Sequence, residues 1–244
     1  MGPEGTAFAL LLLGHVLGDF TLQTDEMATN KHRLGPLLAH GGVVISVHLV
    51  VLVPLLSSKT VLVVMSVGVA HVLVDAVTAR LRHHVGPSTR LFLGDQTVHL
   101  LVLLGGWSML GAPTLTNSPV VSALGGISSL PWSEITAGAV YTSAFVFAHH
   151  GGNAIVQRVL PDDGPESKEN DLEAGSLIGS LERWLVLALG LAGLWESVAL
   201  VVAAKSVARF EELKERAFAE YFLVGTLASV LVAIGLVIVV SVLV

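Results

Sequence analysis

The chain has 244 residues, a mean hydropathy of +0.77, 53% hydrophobic residues and only 13% charged ones, whereas soluble globular chains average about 25% charged. That deficit excludes an ordinary soluble domain, and a formal charge of −6 without a basic stripe excludes a nucleic-acid-binding surface. Cysteine is absent, which excludes disulfides, thiolate metal ligands and a cysteine nucleophile.

Apolar runs of roughly 20 residues predict helices that cross a bilayer. In chain order they cover Thr6 to Gln23, Leu37 to Leu56, Thr60 to Leu81, Leu91 to Leu110, Glu134 to Gln157 and Phe218 to Val240. No Lys or Arg precedes the first run, and His15 and Asp19 interrupt it, so it reads as a helix rather than a cleaved signal peptide. The stretch Leu177 to Ala204 would make a single helix of 28 residues. Its length of about 42 Å exceeds the roughly 30 Å of hydrocarbon. Gly190 and Gly193 bracket a break, so the stretch reads as a hairpin of two shorter helices. The fold class expected is all-α, a polytopic membrane bundle of about eight transmembrane helices.

Charge distribution sets the orientation. With the N-terminus outside, every one of the 13 Lys and Arg residues except Lys59 falls on the cytoplasmic side. A single span over 177–204 would move Lys205, Arg209, Lys214 and Arg216 outward, against the positive-inside tendency. Eight spans put both termini outside a multi-pass inner (plasma) membrane protein. The expected organisation is a five-helix part over 1–158, an acidic cytoplasmic linker over 159–175 and a three-helix part over 176–244. The uncharged stretch 111–133 reads as an outer loop.

The polar residues inside these apolar runs repeat. HVLGD (His15, Asp19) and HVLVD (His71, Asp75) share the pattern H-x-x-x-D, and DQTVH (Asp95, His99) reverses it. A spacing of four puts both side chains on one helical face. The first two pairs close the first and third helices, each followed by a basic loop and another helix, which suggests a repeated helical hairpin. Ionisable groups in a membrane helix are costly and point to function. On the eight-helix topology, His15, Asp19, His40, His71, Asp75, Asp95, Gln96 and His99 fall in one layer near the cytosol, with His48 deeper. Three carboxylates and four imidazoles form an oxygen/nitrogen donor set suited to a divalent metal such as Zn, Mn or Fe(II). The alternatives are a hydrogen-bonded packing network and an ion or proton pathway.

A second cluster is cationic. Lys205 and Arg209 in AAKSVARF lie one turn apart, and LERW supplies Glu182 and Arg183. They read either as a clamp for a phosphate or lipid head group or as ordinary interfacial anchors. Gln96 and Gln23 border the His/Asp layer and complete the candidate substrate-binding set. Gly14 and Gly18 form a GxxxG packing face, and His83 and His84 read as solvated loop residues. Neither a P-loop nor G-x-G-x-x-G occurs, so no nucleotide cofactor is expected.

The segments HVLGDFTLQTDEMATNKHR, LLAHGGVV, HVLVDAVTARL, FLGDQTVHLL, IGSLERW, AAKSVARF and AEYFLVGTLAS resemble the bacterial membrane family known as domain of unknown function 3307. The resemblance rests on His15, Asp19, Gln23, Lys31, His40, His71, Asp75, Asp95, Gln96 and His99, with C-terminal blocks extending it over most of the chain. It implies a polytopic inner-membrane protein and brings no reaction, substrate or cofactor. The side chains themselves point to a metal-dependent hydrolase or transferase acting on a lipid or isoprenoid phosphate at the cytoplasmic leaflet. The rival readings are a divalent-cation or proton transporter using the same residues, and a non-catalytic membrane partner subunit.

Overall fold

A computed structural model describes residues 2–86, 88–111, 118–123, 125–126, 130–160 and 169–244. Among the described residues there are ten α-helices and no strand. Helix α1 (Pro3–Val16) opens with proline at its start and Glu4 in its first turn, both favourable at a helix N-terminus. It runs without interruption into a π-helical turn, Leu17–Thr21. Short α2 (Asp25–Thr29) is capped by Thr24, whose hydroxyl accepts from the Met27 N–H at 3.3 Å. Helices α3 (Leu34–Val51), α4 (Ser58–Val85) and α5 (Thr89–Met109) follow. Ser57 and Ser88 cap the last two by accepting from Thr60 and Leu91 N–H groups, each at 3.1 Å. Beyond them lie α6 (Pro119–Ala123), α7 (Trp132–Val159), α8 (Glu169–Leu191), α9 (Trp195–Ala208) and α10 (Arg216–Leu243).

The chain divides into two compact units, Met1–Ser143 with Val244, and Ala144–Leu243, the division falling inside α7. In the first unit α1 packs on α3 and α5, and α4 packs on the same two helices, so four helices close into a ring. Both helices that carry H-x-x-x-D thus share both neighbours, and each expected hairpin, α1 with α3 and α4 with α5, packs as a pair.

Small residues let this ring close. A methyl group on Gly14 would lie 2.8 Å from the His48 ring, and one on Gly18 would lie 3.1 Å from Val44, so the GxxxG face packs on α3. The α3–α4 contact is tighter still. A methyl on Gly41 would reach 2.3 Å from Val72, and one on Gly68 would reach 2.2 Å from Ile45. Close backbone approach is the usual source of helix association where lipid removes the hydrophobic drive.

Polarity is arranged inside out. Leu62, Met65, Val69, Leu73, Val77 and Leu81 lie exposed along α4 at steps of three or four residues, while His71 and Asp75 on the same helix are buried. Helix α10 exposes Leu223, Leu227, Leu231, Ile238 and Val242. Among the described residues, three helices, α3, α4 and α10, are long and apolar enough to cross a membrane. The expected count of eight is not reached on that measure. Helices α1 and α9 have 14 residues each, a rise of about 21 Å against roughly 30 Å of hydrocarbon. Only with its π turn does α1 lengthen towards a span.

In the second unit α8 packs on α9 and α10 around Val186, Val198 and Ala233. The expected break in 177–204 is present: α8 ends at Leu191, Gly193 adopts φ 75°, and α9 begins at Trp195. Only glycine takes that left-handed conformation without strain. Two readings change. His83 and His84 sit in the exposed last turn of α4 rather than in a loop, and the acidic segment is helical from Glu169 onward. The rest of that linker, 161–168 with Lys168, lies outside the described residues, as do 112–117, 124 and 127–129 of the expected outer loop.

Because Gly68 meets the middle of the Ile45 side chain, Gly68→Val is expected to lower stability by about 1–3 kcal/mol. Gly42, with open space around it on the same pair of helices, should accept valine without loss. Thermal melts of both variants in detergent check this.

Candidate metal centre

All seven predicted ligands converge inside the first unit. His15 comes from α1, Asp19 from the π turn, His40 from α3, His71 and Asp75 from α4, and Asp95 and His99 from α5. The extra residue of a π turn swings the following side chains around the axis, a device found often at functional sites. Here it carries Asp19 towards α3 and α4 as well as towards His15.

Four atoms form the centre of the cluster: Asp19 Oδ1, His40 Nε2, His71 Nε2 and Asp75 Oδ2. His40 Nε2 lies 3.1 Å from His71 Nε2, 3.0 Å from Asp19 Oδ1 and 3.3 Å from Asp75 Oδ2. His71 Nε2 lies 3.1 Å from Asp19 Oδ1 and 3.4 Å from Asp75 Oδ2. A tetrahedral ion bonded at about 2.0–2.1 Å has ligand–ligand edges of roughly 3.3 Å. The five spacings given, 3.0–3.4 Å, match edges of that polyhedron. Hydrogen bonding alone satisfies the same contacts poorly, since each imidazole nitrogen can offer one proton and several acceptors compete for it.

The flanking histidines have their neutral tautomers fixed by neighbours. Gln96 donates from Nε2 to Asp95 Oδ2 (3.1 Å), which turns its amide oxygen to accept from His15 Nε2 (3.3 Å). The His15 proton is then on Nε2, and Nδ1 keeps a lone pair. That atom is buried without a hydrogen-bond partner, 3.7 Å from Asp19 Oδ2. His99 donates from Nδ1 to the Asp95 carbonyl at 3.0 Å, leaving Nε2 buried, without a partner and 3.9 Å from Asp75 Oδ1. Lone pairs facing carboxylate oxygens repel, and a cation between them makes both contacts attractive.

Three trios of these residues each present ligand atoms within 4.8 Å of one another: His15, Asp19 and His71; His40, His71 and Asp75; Asp75, Asp95 and His99. Their shared members, His71 and Asp75, link the trios into one continuous donor set that can hold a metal ion.

Lys31, from the turn between α2 and α3, reaches 2.9 Å from both Asp75 oxygens. In the sequence it stands in the basic loop after the first helix and among the residues that carry the family resemblance. Thr78, unforeseen in the sequence, donates to Asp95 Oδ1 at 2.6 Å. With imidazoles neutral, three carboxylates and one ammonium leave two uncompensated negative charges in a buried site, the charge that one divalent cation offsets. Lys31 and Asp95 have side chains 17% and 12% exposed, against 6% or less for the other six, so water reaches the cluster on their side. His48 is not a member. It is buried on α3 with its ring nitrogens against the carbonyls of Val44 (2.8 Å) and Leu11 (3.1 Å), tying α3 to α1.

The remaining predicted residues separate. Gln96 lies within the cluster, whereas the Gln23 amide oxygen is buried without a hydrogen-bond partner. In the second unit, Arg183 lines a small cavity together with Glu182, Lys205, Thr226 and Ser229. Its guanidinium donates to the carbonyls of Ala148 (2.5 Å) and His149 (3.4 Å), to Ser180 (3.2 Å), to Ser229 (3.1 Å) and to Asn153. Lys205 pairs with Glu182 at 2.5 Å, and exposed Arg209 pairs with Glu212 at 3.1 Å. Of the expected anion clamp, Glu182, Arg183 and Lys205 come together at that cavity, with both cations partnered on the chain, whereas Arg209 does not line it.

A protein-family model described as a protein of unknown function (DUF3307) matches residues 7–123. Those residues belong to that family. The DUF3307 region contains all seven donors together with Lys31, Thr78 and Gln96, and it ends before IGSLERW, AAKSVARF and AEYFLVGTLAS. No curated protein and no solved structure matches the chain.

Arg183→Lys removes the planar fork that serves five acceptors and is expected to cost about 3 kcal/mol or more. A lowered thermal midpoint with unchanged metal content would show that Arg183 serves the second unit's packing; a changed metal content would contradict that.

Proposed function

We propose that this chain is a multi-pass inner-membrane protein whose DUF3307 region holds a catalytic divalent metal and acts on an anionic lipid, a phosphate ester or diphosphate, at the cytoplasmic leaflet. The observation that carries the reading is the quartet of Asp19, His40, His71 and Asp75, with donor spacings of 3.0–3.4 Å in a buried site. Zn, Mn or Fe(II) suits such a nitrogen and oxygen set. The positive-inside distribution supports an orientation with both termini outside, and an eight-helix arrangement fits it.

The chemistry follows from the surroundings. A divalent ion polarises a phosphoryl oxygen and lowers the pKa of bound water, and both effects grow where protein and lipid exclude bulk solvent. Lys31 supplies a cation on the accessible side of Asp75, where a phosphate oxygen could exchange for the carboxylate. Asp95, oriented by Thr78 and Gln96, is the most exposed carboxylate of the cluster and marks the side from which water and substrate would reach the metal. Exposed apolar rows on α3 and α4 provide a path along which a lipid tail can lie beside the ring. Lys205 and Arg209 have no part in this version of the site.

Protein purified in detergent without chelator should retain at least one divalent ion per chain, and Asp19→Asn or His40→Ala should weaken retention more than 10-fold. Metal at 100 times its dissociation constant should stabilise the wild type by about 2.7 kcal/mol. Release of phosphate from a prenyl phosphate in mixed micelles should need the metal and disappear in Asp19→Asn. Metal-free folded protein with a melt indifferent to added metal would leave only a packing network. Uptake of labelled divalent ion into proteoliposomes, without phosphate release, would replace the enzyme by a carrier.

A further inference from the structure

We infer that the centre is dinuclear: a second divalent ion binds between Asp75, Asp95 and His99, with the two oxygens of Asp75 divided between the ions. This deepens the metal reading and rests on it. The quartet uses Asp75 through Oδ2 only, at 3.3 and 3.4 Å from the two imidazoles. Oδ1, which accepts from Lys31 at 2.9 Å, lies 3.9 Å from His99 Nε2. His99 is 1% exposed, its proton is committed to the Asp95 carbonyl, and its Nε2 lone pair has no hydrogen-bond partner. A single ion bonded to both atoms at about 2.0–2.2 Å spans that gap. Lys31 is the donor recorded at Asp75 Oδ1, and none among the described residues is recorded at His99 Nε2.

Asp95 completes the second set. Each of Asp75, Asp95 and His99 offers a ligand atom within 4.8 Å of the others. Thr78 and Gln96 each donate to one Asp95 oxygen, fixing the carboxylate's direction while leaving lone pairs for a metal. A bridging carboxylate holds two ions at a separation of about 3.5–4 Å, the arrangement in which one ion positions the attacking oxygen and the other the leaving one. Two divalent ions against three carboxylates, with Lys31 alongside, make the centre cationic. A phosphoryl group lying across both ions restores the balance, which ties the second ion to the anionic class of substrate. Lys31 contacts both Asp75 oxygens at 2.9 Å and so opposes the second ion.

Mn2+ titration of the full chain in detergent, read by equilibrium dialysis and electron paramagnetic resonance, tests this. The wild type should take up two Mn2+ per chain and show a spin-coupled spectrum when full. Asp95→Asn and His99→Gln should bind one, with an uncoupled spectrum. Lys31→Met, which removes only the opposing charge, should bind the second ion at least 10-fold more tightly and keeps the test valid if the ligand variants fail to fold. One Mn2+ in the wild type, with His99→Gln and Lys31→Met unchanged, overturns the second ion and leaves the quartet standing. No Mn2+ bound at all overturns both.

Discussion

Two carboxylates and two imidazoles share a space too small for four polar groups that lack a common partner. Asp19 and Asp75 approach His40 and His71 at 3.0–3.4 Å, with every one of the four side chains 6% exposed or less. Water cannot relieve the charges there, so a cation or a set of shared protons must. The rest of the first unit is arranged around that requirement. The π turn aims Asp19 across the ring, and the glycines at 14, 18, 41 and 68 bring the backbones near enough for side chains from four helices to touch.

The same constraint explains the polarity of the helices. A ring of four helices with its ionisable groups inside has only apolar residues left for its outer surface, and α4 shows this division along its length. In water such a surface would drive aggregation; in lipid it is the ordinary exterior. Placing a charged cluster in a low-dielectric interior sacrifices stability in exchange for stronger electrostatic action on a bound ion and its ligands. Lys31 moderates that cost at Asp75, and its partial exposure puts it on the route by which water or an anion reaches the cluster.

The His/Asp cluster was legible in the sequence because its signal is local. H-x-x-x-D puts two donors on one face within four residues, and its recurrence at His15 and His71 marks two helices that share neighbours. His40 and the reversed pair at Asp95 and His99 followed from depth along the apolar runs. What the sequence hid is what depends on tertiary contact. Lys31 sits 44 positions from Asp75, and its place in a basic loop and in the family motifs does not show that it pairs with that carboxylate. Thr78 is an ordinary helix residue until α5 faces it. Arg183 looked available to a phosphate because a sequence does not show that Asn153, Ser180, Ser229 and two carbonyls take up its donors. The break at Gly193 was visible from glycine and length, whereas the π turn had no signature within an apolar run. Eight full spans also asked too much of length alone, since α1 and α9 are short.

X-ray absorption at the metal edge of protein purified with its native ion addresses the central claim most directly, because it reads the donor atoms. A shell of nitrogen and oxygen at about 2.0–2.2 Å with the outer scattering of imidazole rings is the expected result. A shell of oxygen alone, or an ion with no imidazole scattering, would contradict a site built on His40 and His71.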